Sequence, residues 1–161
     1  MSDRPEAITR RDLIDQLTAA GWEVGKAGVV EELHLTDSGV AVQEFAGKYR
    51  AGDEFADYAL MASDGKPLAI VEAKSTNRDA LAGQRQAADY ADRIREIYEV
   101  DPFIFLSNGR EIWFWDRGRY PLRKVSGFFT RDDLERLDFQ RKHRLDLATV
   151  NPSGQIIDRP Y

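Results

Sequence analysis

The sequence predicts a single α/β domain, a central mixed β-sheet flanked by α-helices, within 161 residues. Three observations point there. Runs with helical apolar spacing alternate with short β-branched and aromatic runs. Turns rich in Gly, Asn and Asp separate the strand-like runs. Finally, 42% of the residues are hydrophobic, with 3 Trp, 8 Phe and 6 Tyr, a composition that suits one real core and not a disordered tail.

The elements follow in order. Glu6 to Ala20 reads as an amphipathic helix, with Ile8, Leu13, Ile14 and Leu17 near helical spacing and Gly21 as its C-cap. Trp22-Glu23-Val24 is a short strand or connector. Val40 to Phe45 suggests a strand, Gly47 and Gly52 bracket a loop, and Phe55 to Met61 resumes β character. Ser63-Asp64-Gly65-Lys66 is a turn, followed by a strand from Leu68 to Lys74. Asn77 caps a long helix reaching to about Tyr98, with Leu81, Ala88, Ala91, Ile94 and Ile97 as its buried positions. The runs Phe103 to Leu106 and Glu111 to Trp115 flank an Asn108-Gly109 turn, a strong hairpin signal. Thr130 caps a last helix from Arg131 to about His143, with Asp132 and Asp133 placed where the helix dipole favours anions.

Composition narrows the function. Cysteine is absent, which excludes disulfides, thiolate zinc sites and cysteine nucleophiles and suits a cytoplasmic location. The first residues carry no apolar run of a secretory signal, and no stretch is long enough to span a bilayer. A net charge of −5 argues mildly against tight nucleic-acid binding by this piece alone. A site that concentrates carboxylates around a bound cation would tolerate it, because the cation supplies local positive charge.

The informative stretch runs from Asp57 through the Asp64-Gly65 turn to Glu72-Ala73-Lys74. If Asp64-Gly65 forms a two-residue turn, cross-strand partners place Asp57 opposite Glu72, with β-carbons roughly 5 Å apart on one face. Lys74, two residues further, shares that face. Carboxylates so close need a compensating cation, and oxygen ligands suit Mg²⁺, with Mn²⁺ as a substitute. Such a cation polarises a phosphate oxygen and acidifies water, while Lys74 can orient or help deprotonate that water. The plainer reading is a surface ion pair between Glu72 and Lys74 on an edge strand. Leu68, Ala69, Ile70, Val71 and Ala73 argue against it, since they mark a strand buried on both faces.

These residues resemble a known family. Asp57 followed by Glu72-Ala73-Lys74 looks like the PD-(D/E)xK nuclease core, with Ala56 where the name has proline. Gln86-Ala-Ala-Asp-Tyr90 matches the Q-x-x-x-Y motif of the RecB-like branch. The run from Pro102 to Gly109, continuing to Asp116, and the run from Thr9 to Asp15 ending in Ala20-Gly21-Trp22, resemble the N-terminal endonuclease domain of type I restriction R (motor) subunits. The resemblance covers most of residues 5 to 140. It implies a restriction-endonuclease-like fold and metal-dependent hydrolysis of double-stranded DNA. It further implies metal ligation by Asp57, Glu72 and the Ala73 carbonyl, with Lys74, Gln86 and Tyr90 completing the catalytic set. Glu6 lies where the family often carries an additional carboxylate, although a glutamate in the first turn of a helix suits the dipole equally well. Asp53 and Glu54 read as solvated loop acids, His34 and His143 as structural, and Arg78 and Arg85 as helix charges able to touch phosphate.

The resemblance also sets the organisation. Residues 1–143 would be the nuclease domain and 144–161 a linker, where Ile156 to Tyr161 resembles the lead-in to a superfamily 2 helicase motor. No P-loop of the form GxxxxGK[ST] occurs in the chain, so ATP would serve that motor and not this domain. The enzyme implied is a type I site-specific deoxyribonuclease, ATP-dependent only as a whole. Its partners would be DNA, the motor of the same polypeptide, and the methylation and specificity subunits that read the target sequence. Two rivals stand beside this reading: a stand-alone repair or resolving nuclease of the same superfamily, and a non-cleaving DNA-binding or assembly module.

Overall fold

Among the described residues seven strands form one sheet: β1 (Val29–Leu35), β2 (Ala41–Val42), β3 (Glu54–Met61), β4 (Pro67–Ala73), β5 (Phe103–Ser107), β6 (Ile112–Trp115) and β7 (Arg123–Val125). Their order is β2-β1-β3-β4-β5-β6-β7. The computed structural model describes residues 5–25, 28–35, 41–42, 54–74 and 78–144. Among these, β4 and β5 pair in parallel while the neighbouring strands pair antiparallel. A parallel pair needs a long crossover, and helix α2 (Gln84–Tyr98) lies within it.

The sheet is covered on both faces, which is why β4 is apolar along its length. On one face Leu13 and Leu17 of helix α1 (Pro5–Ala19) and Leu134 of helix α3 (Arg131–His143) join Tyr58, Val71, Phe103, Phe105 and Phe114. On the other, Ala87, Tyr90, Ala91 and Ile94 of α2 pack on Ala59, Ile70, Ile104 and Leu106. Arg117 ties α2 to the rim of the sheet, donating to the Ala88 carbonyl at 3.1 Å, Asp92 at 2.9 Å and Asp101 at 2.7 Å.

The caps follow local chemistry. Gly21 takes φ +84° and the Trp22 N–H donates to the Leu17 carbonyl, ending α1 as expected. Thr130 Oγ1 accepts from the Asp133 N–H, and Asp132 and Asp133 occupy the first turn of α3.

Several expectations need correction. The crossover helix does not begin near Asn77, which lies outside the described residues. A 3-10 turn (Ala80–Gly83), capped by Asp79, precedes α2. The buried stripe of α2 runs through Ala87, Tyr90, Ala91 and Ile94, leaving Leu81, Ala88 and Ile97 only partly buried. Strands β1 and β7 carry no sequence signal used above. Of the stretch Val40 to Phe45, Ala41–Val42 is strand and the rest is outside the described residues, as are Gly47, Gly52 and Asp53.

The β3–β4 turn also differs. The Gly65 N–H donates to the Ala62 carbonyl at 3.0 Å and the Ala62 N–H to the Lys66 carbonyl at 2.9 Å, enclosing a three-residue loop. Gly65 has φ +80°, whereas Asp64 keeps an ordinary negative φ, so the mirror-image turn that needs positive φ at both is not formed. Met61 then pairs with Pro67 and Leu60 with Ala69, leaving Leu68 as an extra residue, a β-bulge. Beyond it the pairs Leu60↔Ala69, Ala59↔Ile70 and Tyr58↔Val71 are those expected from the sequence. The bulge cancels the longer turn.

Candidate active site

The paired positions of β3 and β4 end at Tyr58↔Val71, one step short of Asp57 and Glu72. Alternation carries Asp57 and Glu72 onto the face of Ala59 and Ile70, beneath α2. There the strands are joined by a side chain: Asp57 Oδ2 accepts the Ala73 N–H at 2.6 Å. On its other edge β4 remains in the ladder, with the Lys74 N–H donating to the Ser107 carbonyl at 2.8 Å.

Glu72 is 3% exposed, yet charged groups surround it. Lys74 Nζ lies 2.7 Å from Glu72 Oε1 and 3.2 Å from Gln86 Oε1. Burial pushes the Glu72 carboxyl above its ordinary range; the Lys74 hydrogen bond pulls it back, and the nearby Asp57 charge pushes it up again. The plain surface ion pair weighed above therefore does not describe Glu72, although Lys74 does bridge to it.

The structure thus brings Asp57, Glu72, Ala73, Lys74 and Gln86 together at one end of the sheet. Tyr90, one turn beyond Gln86, is 2% exposed and belongs to the α2 core. Glu6 falls within α1, but its side chain lies outside the described residues, as do those of His34 and Glu54. Arg78 and Arg85 are exposed. The His143 ring stacks on Phe139 at 3.9 Å. Trp113, Phe114 and Trp115 are core or near-core residues.

Two residues near the site were not among the candidate site residues read from the sequence. Asn108, 7% exposed, donates from Nδ2 to the Arg78 carbonyl at 2.9 Å and accepts the Arg110 and Glu111 N–H groups, pinning the crossover to the β5–β6 turn. Gly83, the N-cap of α2, lies against the stems of Glu72 and Lys74. An asparagine in a turn signals the turn alone, and no local pattern announces Gly83.

Among the described residues no three His, Cys, Asp or Glu side chains cluster as a ready metal cage. Two carboxylates with a backbone carbonyl nevertheless fit Mg²⁺, which keeps several waters and is usually bound by one or two carboxylates plus substrate phosphate. The buried Glu72 carboxyl, crowded by the Asp57 charge, supports that fit.

The mixed sheet with helices on both faces defines a restriction-endonuclease-like α/β domain. Residues 37–122 match the family described as the type I restriction enzyme R protein N terminus, and the chain belongs to that family. It is 30% identical over 114 residues to the type I restriction enzyme EcoAI endonuclease subunit of Escherichia coli, a match that covers 68% of this chain and 13% of that protein. A fragment structure of an HsdR subunit of a type I restriction enzyme from Vibrio vulnificus YJ016 is similar with a TM-score of 0.63 and 31% identity. That match covers 84% of this chain and 25% of the other, so the chain spans a minor part of both relatives. No helix among the described residues is long and apolar enough to cross a membrane.

Proposed function

We propose that this domain is the metal-dependent nuclease of a type I restriction R subunit, hydrolysing phosphodiesters of double-stranded DNA without reading bases itself. The observation that supports this best is the convergence of Asp57, Glu72 and Lys74 on one sheet face, with Glu72 buried where an idle acid would be costly. Asp57, Glu72 and the Ala73 carbonyl would hold Mg²⁺ or Mn²⁺, with Glu6 as an additional carboxylate. When bound, the cation supplies Lewis-acid polarisation of the scissile phosphate and acidifies water.

The chain's own groups do the rest. Asp57 accepts from the Ala73 N–H, which fixes its carboxylate at the edge of the site. Lys74 is aimed by Glu72 and Gln86; its ammonium can orient the attacking water and offset charge gathering on the phosphorus oxygens. Gln86 sets that lysine without adding charge. Tyr90 supports the same helix from within the core. ATP-driven translocation, target recognition and methylation would belong to the motor and to the partner subunits, in a cytoplasmic complex.

The test is calorimetric titration of Mn²⁺ into the wild-type chain and into Asp57→Ala, with plasmid cleavage by the complete enzyme carrying the same change. Binding and cleavage both lost in the variant support the reading. Undiminished Mn²⁺ uptake by Asp57→Ala would place the metal elsewhere.

A further inference from the structure

Gly83 is not a glycine its backbone demands. Its φ of −88° and ψ of 0° are open to any residue, in contrast to Gly21, Gly25, Gly65 and Gly118, which have positive φ and nothing within 4 Å of a built Cβ. At Gly83 the crowding comes from the candidate site. A Cβ there would stand 2.5 Å from Glu72 Cγ, 3.0 Å from Lys74 Cε and 3.6 Å from Glu72 Cβ. The clashing atom is the stem of Glu72, not a free tip, so the side chain must move as a whole.

The helix gives something up for this gap. Gly83 is the N-cap of α2 and makes no side-chain cap bond, a modest loss beside the Ser, Asp or Asn that cap a helix best. Any of them would strike Glu72. The segment is also held from outside: Asn108 Nδ2 binds the Arg78 carbonyl, Asp79 caps the 3-10 turn, and Gln86 in the first turn of α2 accepts from Lys74. These ties press the missing Cβ of Gly83 onto the two side chains at the centre of the site.

We infer that Gly83 is a positioning residue: its lack of a side chain lets the start of α2 close over Glu72 and Lys74 and sets where their carboxylate and ammonium stand. The link to catalysis rests on the metal-dependent reading above; the geometric claim is independent of it.

The experiment is a double-mutant cycle in this chain, Gly83→Ala with and without Glu72→Ala, read by metal-free melting and by Mn²⁺ titration of wild type and Gly83→Ala. Gly83→Ala should lower Tm by about 5 °C or more when Glu72 is intact. In the Glu72→Ala background the loss should be much less, because the clashing Cγ is gone. Mn²⁺ affinity should fall about tenfold or more, the range seen when groups that orient metal ligands are changed. If Gly83→Ala does not fold alone, recovery of folding in the double variant gives the same answer. Equal losses of Tm in both backgrounds would show a backbone role only and overturn the inference. So would full Mn²⁺ affinity in Gly83→Ala, and the metal reading would then survive. Coupling in the cycle with no Mn²⁺ uptake by wild type would instead remove the metal reading and leave Gly83 setting the geometry of the pair.

Discussion

The two faces of the sheet are built to different rules. The face under α1 and α3 is aromatic: Phe105 meets Phe114, Phe128 and Phe129 with ring centroids 5.1 to 5.8 Å apart, and the arginines that reach it, Arg141 over Phe103, Arg123 over Phe114 and Arg131 over Trp22, stack on rings. The face under α2 is lined by Ala59, Ala87 and Ala91, with Gly83 at the helix start, so helix and sheet approach closely. That face ends in a buried glutamate and a lysine. The contrast teaches a division of labour. One face stabilises by area and ring contact; the other accepts small residues and electrostatic strain in order to hold polar groups still.

The largest expected effect tests the aromatic face. Phe105 is fully buried, and Phe105→Ala should cost about 3–5 kcal/mol in denaturant unfolding. Mn²⁺ affinity of the fraction that stays folded should match wild type; a weakened affinity would mean that the faces are not separable.

Next comes the α2 face. Metal that binds only the folded chain adds about 2.7 kcal/mol at a hundredfold excess over its dissociation constant, and Asp57→Ala should abolish that gain. Without metal the variant should melt close to wild type, because lost repulsion toward Glu72 opposes the lost bond to the Ala73 N–H. Lys74→Ala should differ, still binding metal while its apo form weakens and cleavage falls. Melting curves with and without Mg²⁺ separate these outcomes, and a full metal shift in Asp57→Ala would refute the assignment.

A smaller effect concerns an acid that serves neither face. Asp116, 7% exposed, follows β6 toward the opposite end of the strands from Glu72, with Arg141 3.5 Å away. Burial raises its carboxyl above the ordinary range against the pull of Arg141 and Arg119. A proton retained in the folded state favours folding below the ordinary aspartate range, and that stability is lost as pH rises through the raised value. Urea unfolding should show this loss in wild type and not in Asp116→Asn, with Mn²⁺ affinity equal in both. An identical pH dependence in the two proteins would contradict the assignment.

The smallest is Tyr90→Phe. Because the ring lies within the α2 core, stability should change by about 1 kcal/mol or less. Cleavage by the complete enzyme then decides the hydroxyl's role: a drop with ATP hydrolysis intact sharpens its link to the site, and unchanged cleavage leaves the ring as packing.

Much of this was legible in the residues. The doubly buried strand, the Asn108-Gly109 turn, the Thr130 cap and the face shared by Asp57 and Glu72 follow from period, propensity and turn chemistry, which are local. What escaped was set by partners distant in sequence. Strand β1 reads Val-Val-Glu-Glu-Leu-His-Leu, with no clean alternation until β3 lies beside it. Strand β7 is three residues with an exposed, charged start, a strand only because β6 offers an edge. Asn108 and Gly83 owe their roles to contacts across the fold, with Arg78 in one case and Glu72 in the other. The turn was misjudged because Asp-Gly favours two geometries and the hydrogen bonds of Ala62 decide between them.

The Leu68 bulge has a consequence for how such a chain can change over generations. Side chains alternate faces along a strand, so one residue lost between Ala69 and Glu72 would swing the glutamate into the aromatic core and bring Ala73 into its place, and one gained would likewise turn the glutamate to the aromatic face. Changes of length on the turn side meet a joint that already accommodates one surplus residue. The hairpin is therefore divided into a tip whose length can drift and a stem whose length is frozen, and the frontier between them is Leu68.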